Sequence, residues 1–201
     1  FETNTPGEVV FNTSRILDHD STAPWSLSHA EFVGRQQCRE LEAFMKSRIP
    51  GFEQALVVQT GPSVGVRSSC QIAGCYQLTA EDLLAQTRFD DTIAISGYPI
   101  DIHSPDGEGT EHGKLPEGGM YGIPWRSLIT ETLDNLIVVG RCISATFEAQ
   151  AAIRTTPTVG AIGQAGGIAA ALTARANTSV HQLQVSQLQD TIRQQQGYLD
   201  F

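Results

Sequence analysis

Two short stretches place small and cationic residues where a ligand could approach the backbone. The apolar run 136–139 stops at Gly140 and Arg141, and Ser144 keeps the following segment small. In open α/β sheets ligands lie beyond the carboxyl ends of strands, and a glycine there lets a ligand approach the main chain. The arginine adds a planar fork of donors suited to a phosphate or a carbonyl oxygen. This strand end therefore predicts a ligand site.

A helix start follows closely. Thr155 or Thr156 can cap the helix, and Pro157 suits its first turn. The free amides of such a start stabilise an anion. The rest of the helix has an unusually small surface, through Gly163, Gly166, Gly167, Ala169, Ala170 and Ala171. It can therefore lie very close to a sheet or a ligand, although the chain contains no G-x-G-x-x-G phosphate loop.

A polar loop offers a second kind of chemistry. Its acidic and histidine side chains are Asp101, His103, Asp106, Glu108, Glu111 and His112. Together they could form the metal site of a hydrolase, but their spacing fits no standard ligand motif, so we predict no metal. His103 is alternatively a donor or general acid in a substrate pocket, or a structural histidine. A nucleophilic hydrolase built on Ser144 is disfavoured because that serine lies in Cys-Ile-Ser-Ala-Thr and not in a G-x-S-x-G turn.

The strands expected to position these residues are identified by β-branched and apolar runs bounded by turn residues. A fully buried strand is predicted over 136–140 from its unbroken apolar run. Other strands are predicted over 7–17, 55–61 and 92–104, the last with a break at Gly97, and a strand or hairpin is predicted over 64–78. Residues 104–120 are predicted to form a loop.

Helices are predicted from helical spacing of apolar residues and from capping residues. A long helix is expected over about 28–49, with Ser28 and Glu31 as a capping box. A short helix is expected after Thr79, with Asp82 three residues later. Two further helices are expected over about 157–176 and 180–197.

Composition limits the partners. The net charge of −9 argues against a nucleic-acid partner and against an anionic membrane surface. No apolar run approaches the ~20 residues of a membrane-spanning helix. Four cysteines are too sparse for a disulfide framework, so a cytoplasmic location is expected. Because the chain begins with Phe1 and shows no leader, either a leader was removed or the chain is a piece of a longer protein.

The ordered combination of these features resembles a known family. The stretch DNLIVVGRCISATFEAQAAIRTTPTVGAIGQAGGIAAAL, residues 134–172, resembles the closing FAD-binding segment of the FAD-dependent oxidoreductase family. The family is related in fold to glutathione-reductase and succinate-dehydrogenase type flavoproteins. RFDDTIAISGYPIDIHSPDG and YGIPWRSLI resemble its substrate-domain core, and nearly the whole chain is covered.

The resemblance implies a mixed α+β and α/β fold. Residues 1–130 would form a substrate domain with a mixed sheet, and residues 131–201 the last segment of the FAD-binding domain. Family members are roughly twice as long, and their amino-terminal half holds the ADP part of FAD. The chain is therefore expected to be a carboxyl-terminal fragment, inactive alone, whose partners are that missing half and a small-molecule substrate. The oligomeric state is left open.

The resemblance also implies residue roles. Gly140 and Arg141 would face the pyrophosphate and ribityl region of FAD, and Thr156 to Thr158 would open the helix aimed at the flavin N1–C2=O edge. The complete set implied for the cofactor is Gly140, Arg141, Ser144, Arg154, Thr156, Pro157, Thr158 and Gly163. On the catalytic side, the candidates are His103, Arg67 and Arg126.

Two departures from the family pattern bear on activity. After Val66 and Arg67 the family commonly continues Glu-Ser-Arg-Arg, whereas this chain has the neutral residues 68–71, Ser-Ser-Cys-Gln. Phe147 stands where the family often has histidine. If those charges handle substrate, the substrate differs or activity is reduced. A non-catalytic module, whose small-residue helix only packs against a partner, is the alternative.

Overall fold

The structure is a computed structural model that describes residues 1–103, 110–113 and 115–200. The chain divides into two compact units, Phe1–Val66 and Arg67–Phe201. The domain boundary expected between residues 130 and 131 falls inside the second unit, whose hydrophobic core draws on residues from Leu78 to Leu199. An arrangement of two functional domains with that boundary stays a prediction.

The first unit is built on one long helix, α1, Pro24–Arg48. It begins earlier than predicted because Pro24 fits a first turn, where no backbone N–H is needed. The capping box predicted at Ser28 and Glu31 is wrong. Ser28 lies inside the helix, and its Oγ donates to the carbonyl of Pro24 at 2.9 Å.

Two segments without regular strand structure lie against α1. The strands predicted over 7–17 and 55–61 are not formed in the described chain, apart from a single bridge between Glu2 and Val9. The side chain of Gln37 instead bonds both backbone groups of Arg15, at 3.0 and 2.7 Å. Glu31 accepts from the backbone N–H of Val64 at 2.7 Å. Helix side chains thus take the place of the neighbouring strand that β-prone segments require.

Two small antiparallel sheets form in the second unit. Strand β1, Thr92–Ser96, pairs with β4, Tyr121–Pro124, and β2, Ile100–His103, pairs with β3, Thr110–Gly113. The prediction of a strand broken at Gly97 is confirmed by β1 and β2. The strand or hairpin predicted over 64–78 is wrong for the described chain, where Leu78 forms only an isolated bridge with Ala145. The predicted loop 104–120 contains β3, and its residues 104–109 and 114 lie outside the described residues.

Helices cover the β1–β4 sheet. The short helix α2, Ala80–Leu84, has the predicted cap, in which Thr79 and Asp82 bond each other's backbone N–H. It is followed by α3, Phe147–Ile153, α4, Thr156–Ala176, and α5, Val185–Gln194. Both α4 and α5 contact β1. The helix predicted over 180–197 is instead a 3-10 turn, Val180–Gln182, followed by α5. Within the described residues no helix combines the length and apolarity needed to cross a bilayer.

The prediction of a strand over 136–140 is wrong, because no strand forms there in the described chain. Val139 is extended, with φ −127° and ψ 170°, and Gly140–Cys142 turn into a 3-10 helix. The one backbone hydrogen bond that the described residues give to 136–139 runs from Val138 N–H to the Leu128 carbonyl, at 2.8 Å. Val139 therefore has the backbone conformation of a strand, but among the described residues the segment has no paired neighbour that would make it one.

Candidate functional site

The start of α4 presents unpaired backbone donors. Thr155 is the N-cap residue, yet within the described chain its side chain makes no bond to the first-turn amides. Thr156 is exposed, Pro157 is exposed but has no N–H, and Thr158 is buried, so the free first-turn N–H groups are those of Thr156 and Thr158. A helix of 21 residues that begins in this way offers its free N–H groups and its positive dipole end to an anion.

Hydroxyl groups anchor that helix start to the sheet. Thr158 is buried, and its Oγ1 lies 3.0 Å from Ser96 Oγ on β1 and 3.0 Å from Thr155 Oγ1. Its side chain therefore points into the protein, and only its backbone can face a ligand at the helix end. The chain of hydroxyls fixes where the exposed amides stand relative to β1.

Gly140 and Arg141 lie at the end of the extended segment, as predicted from the sequence. Gly140 has φ +79°, a conformation that favours glycine, and a Cβ placed on it would meet nothing within 4 Å. Arg141 is half-buried. This short turn therefore leaves open space above its backbone.

Ser144 has a structural place. It is buried, its backbone N–H donates to the Ser127 carbonyl at 2.9 Å, and its carbonyl accepts from Leu78. A Cβ on Gly74 would come within 2.7 Å of the Ser144 Cβ, so the serine side chain occupies the space beside that glycine. Its predicted cofactor contact remains a prediction, but the serine side chain packs inward.

The glycines of α4 have two different kinds of surroundings. At Gly160, Gly163 and Gly167 an added Cβ would meet nothing within 4 Å. Gly166 is buried, and a Cβ there would overlap the Val139 side chain. One glycine thus permits close packing of α4 on the extended segment 136–139, and the other three leave an open helix face that begins next to the exposed amides.

Arg154 and Arg67 bring two positive charges to the carboxyl end of α3. The Arg154 guanidinium donates to the backbone carbonyls of Ala151 at 3.2 Å and Asp101 at 3.3 Å. Burial, and after it the charge of Arg67, lowers the pKa of Arg154. Arg67 is exposed, and its carbonyl accepts from Gln150 Nε2 at 2.9 Å. Asp101 offsets part of this positive field, since its charge raises the pKa of Arg154.

Arg126, a predicted catalytic residue, is engaged elsewhere. Its Nε donates to Asp91 Oδ2 at 2.9 Å and its Nη2 to Asp91 Oδ1 at 3.2 Å. The guanidinium also lies over the ring of Tyr76, 5.0 Å from its centroid. The bonds to Asp91 raise the pKa of Arg126. These contacts hold the loop before β1 against the end of β4. The Arg126 cation is therefore already paired with the carboxylate of Asp91.

His103 is the last residue of β2, and its backbone pairs with Thr110 of β3. Of the polar loop considered for metal binding, Asp106 and Glu108 lie outside the described residues. Among the residues that are described, no group of three or more His, Cys, Asp or Glu side chains could hold a metal ion.

A cleft of about 660 Å³ in the second unit was not predicted from the sequence. It lies between the β1–β2 turn and the segment before β4, and is lined by Gly97, Pro99, Leu115, Pro116, Gly119 and Met120. Most of its lining residues belong to the predicted loop 104–120 or to the turn at Gly97, and neither prediction indicates a cleft. The helix α3, which carries Gln150, was also missed, although Thr146 accepts from Ala149 N–H as its cap.

The chain matches the FAD dependent oxidoreductase family over residues 1–192. The match covers most of the chain, and the protein belongs to this family. Membership supports an oxidoreductase function and FAD as the cofactor characteristic of the family. No match was found among curated proteins or among solved structures.

Proposed function

We propose that this chain supplies the closing wall of a flavin site and part of the substrate domain in an oxidoreductase that transfers hydride between a small organic molecule and FAD. Family membership over residues 1–192 supports the class of reaction. The observation that carries the proposal is the combination of the uncapped start of α4 at the exposed Thr156 with the open space beside Gly160 and Gly163.

The residues at the α4 start fit one edge of a flavin. The bound cofactor supplies the hydride chemistry. The backbone amides near Thr156 and Thr158, with the positive end of the helix dipole, stabilise negative charge beside them. Gly163 removes a side chain that would otherwise stand in the way, since a Cβ there would enter open space. Gly140, with its open backbone, and Arg141, as a donor fork, serve the phosphate side.

Arg67 and Arg154 are proposed to hold an anionic group of the substrate or cofactor. Both guanidinium contacts of Arg154 described above go to neutral carbonyls, and the charge of Asp101 offsets only part of the positive field of Arg154 and Arg67. A second cation nearby makes an anion favourable at this place. His103 ends the strand that carries Asp101 and is proposed as the substrate-side acid or donor.

The chain is proposed to work with a dinucleotide-binding half. The sequence contains no G-x-G-x-x-G turn of its own. Leu136 and Val139 are 36% and 41% exposed, and the described residues give the segment 136–139 one backbone hydrogen bond, so a further strand can pair there. That strand, a glycine-rich turn and a helix complete the cradle, and the chain alone is expected to bind FAD poorly.

Flavin occupancy of the complete protein in two variants tests the proposal. Gly163→Leu places a side chain in the open face beside the α4 start. Ala174→Leu adds the same group at an exposed position three turns further along the helix. The proposal predicts that Gly163→Leu lowers the FAD bound per chain at least about 10-fold, a loss of ~1.4 kcal/mol of binding, while Ala174→Leu does not. Equal occupancy in the two folded variants would reject the proposed flavin wall.

A further inference from the structure

Two histidine rings of the first unit meet edge to edge. His19 Nε2 lies 2.9 Å from His29 Nδ1, and the ring centroids are 5.2 Å apart with planes inclined by 13°. Because each nitrogen lies about one bond length from its ring centre, these two distances place the rings side by side rather than face to face. The in-plane positions at which imidazole nitrogens bind a proton or a metal are therefore directed at each other.

A backbone carbonyl fixes the tautomer of one ring. His19 Nδ1 lies 2.5 Å from the carbonyl oxygen of Leu17. A carbonyl can only accept, so Nδ1 carries the hydrogen, and a neutral His19 presents its lone pair at Nε2. Metal-binding histidines have this arrangement, in which the second ring nitrogen donates to a carbonyl or carboxylate that orients the ring and raises its basicity.

We propose that His19 and His29 form a binding site for a late first-row divalent cation, of the class of Zn²⁺, Ni²⁺ and Cu²⁺. Imidazole nitrogen suits these ions. On binding, the ion takes the place of the proton shared by the two nitrogens, and that proton moves to Nε2 of His29, so that both rings bind as neutral imidazoles. An ion held at ~2.0 Å from each of two nitrogens that face each other requires them to lie ~4 Å apart, so the rings must move apart by roughly 1 Å. His29 is exposed and can move.

The surroundings favour a cation and leave room for water. Asp18 and Asp20 flank His19 in the sequence. Asp20 accepts from the Thr22 hydroxyl at 2.7 Å and from the Thr22 N–H at 2.8 Å. Since the described residues supply no third His, Cys, Asp or Glu ligand, solvent completes the coordination at the exposed side of His29.

A bound ion would connect two parts of the first unit. His19 lies in the segment before α1, and His29 lies in the second turn of that helix. The two nitrogens are brought together by folding. An ion that binds both of them therefore stabilises the folded state over the unfolded state by mass action. The site lies in residues 1–66 and makes no use of the residues proposed for flavin, so flavin binding and metal binding can fail independently.

Calorimetric titration of the untagged complete protein with Zn²⁺, Ni²⁺ and Cu²⁺ tests the site. One ion per chain is expected, with affinity reduced at least about 10-fold in both His19→Ala and His29→Ala. His181→Ala, which removes a histidine 3.7 Å from Asp134, is the matched control and keeps the affinity. No binding, or binding that survives both substitutions, overturns the proposal and leaves the pair as a hydrogen bond only.

A measurement on the unmodified protein covers the case in which a variant fails to fold. Electron paramagnetic resonance of the Cu²⁺ complex reports the number of nitrogen ligands. The proposal predicts hyperfine coupling to two imidazole nitrogens at one equivalent of copper. Coupling to a single nitrogen, or to none, contradicts the site even if copper binds.

Discussion

Gly163 and Gly166 lie three residues apart on α4, and their surroundings differ in whether they leave room for a side chain. Alanine at Gly163 meets open space and gains helix propensity, so Gly163→Ala is expected to raise the free energy of unfolding by up to ~1 kcal/mol. Alanine at Gly166 would overlap Val139 and is expected to destabilise by ~1–3 kcal/mol. Denaturant unfolding of the two variants measures both changes. Shifts of the same sign would contradict the packing of α4 on residue 139.

Arg126 is the residue for which sequence and structure suggest different roles. Its bidentate contact with Asp91 and its place over Tyr76 depend on a planar fork, which lysine lacks. Arg126→Lys is therefore expected to cost less than ~1 kcal/mol of stability, a small figure because the side chain is about half exposed. Steady-state kinetics of the complete enzyme should change little. A large loss of turnover with unchanged stability would instead support the catalytic role predicted from the sequence.

At the scale of elements, Thr158 ties the start of α4 to β1. Thr158→Val keeps the shape but removes a hydroxyl that is bonded to Ser96 and Thr155 in a buried place. The expected cost is ~1–3 kcal/mol, because Ser96 loses a buried partner. Thr158→Ser keeps the hydroxyl and is the control. If thermal unfolding shows valine to be no worse than serine, the hydroxyl chain does not anchor the helix.

Elements specified by local chemistry were predictable, and those that depend on distant partners were not. The cap of α2 needs only Thr79 and Asp82, three residues apart. The position of α4 follows from Pro157 and its local composition. A strand, in contrast, exists only when a neighbour pairs with it, and residues 7–17, 55–61 and 136–140 lack that neighbour in the described chain. Their β-branched composition therefore indicates a tendency to form strands, but these residues do not form strands in the described chain.

The same distinction holds for the candidate site. The helix start and Gly140 could be found from the sequence, because turn residues and glycine mark their own conformation. The pairing of Arg126 with Asp91 spans 35 positions, and the contact of Gln150 with the Arg67 carbonyl spans 83. No local pattern reports such contacts. The structure was consequently needed to show that Arg126 is paired with Asp91 and that the side chain of Ser144 packs inward.

At the scale of the whole molecule, the two units differ in how much apolar surface they bury. The second unit has a continuous core around Tyr121. Among the described residues of the first unit, Ala30 is the one hydrophobic residue that is buried. Phe32, Phe44 and Val58 of the first unit are more than half exposed. Apolar burial stabilises a fold in proportion to area, so most of the stability resides in the second unit.

The core residue Tyr121 connects that stability to alkaline pH. Burial raises the pKa of Tyr121 from its ordinary value of 10 to about 12, and its hydroxyl donates to the Tyr98 carbonyl at 2.9 Å. A raised pKa contributes stability that is fully present below pH 10 and is lost as the pH rises towards 12. Unfolding measured across this window should show a smaller alkaline loss in Tyr121→Phe than in the unmodified protein. Tyr198→Phe, at an exposed position, should leave the loss unchanged, and identical curves for all three proteins would contradict this role.

The central claim is that this chain forms one wall of a flavin site in a FAD-dependent oxidoreductase. The most direct measurement is the visible absorbance spectrum of the complete protein, purified and then supplied with FAD, beside that of the 201-residue chain under the same conditions. The account predicts a flavin spectrum with one FAD per complete protein and no tightly held flavin on the chain alone. A complete protein that is well folded and stays colourless with added FAD would contradict it.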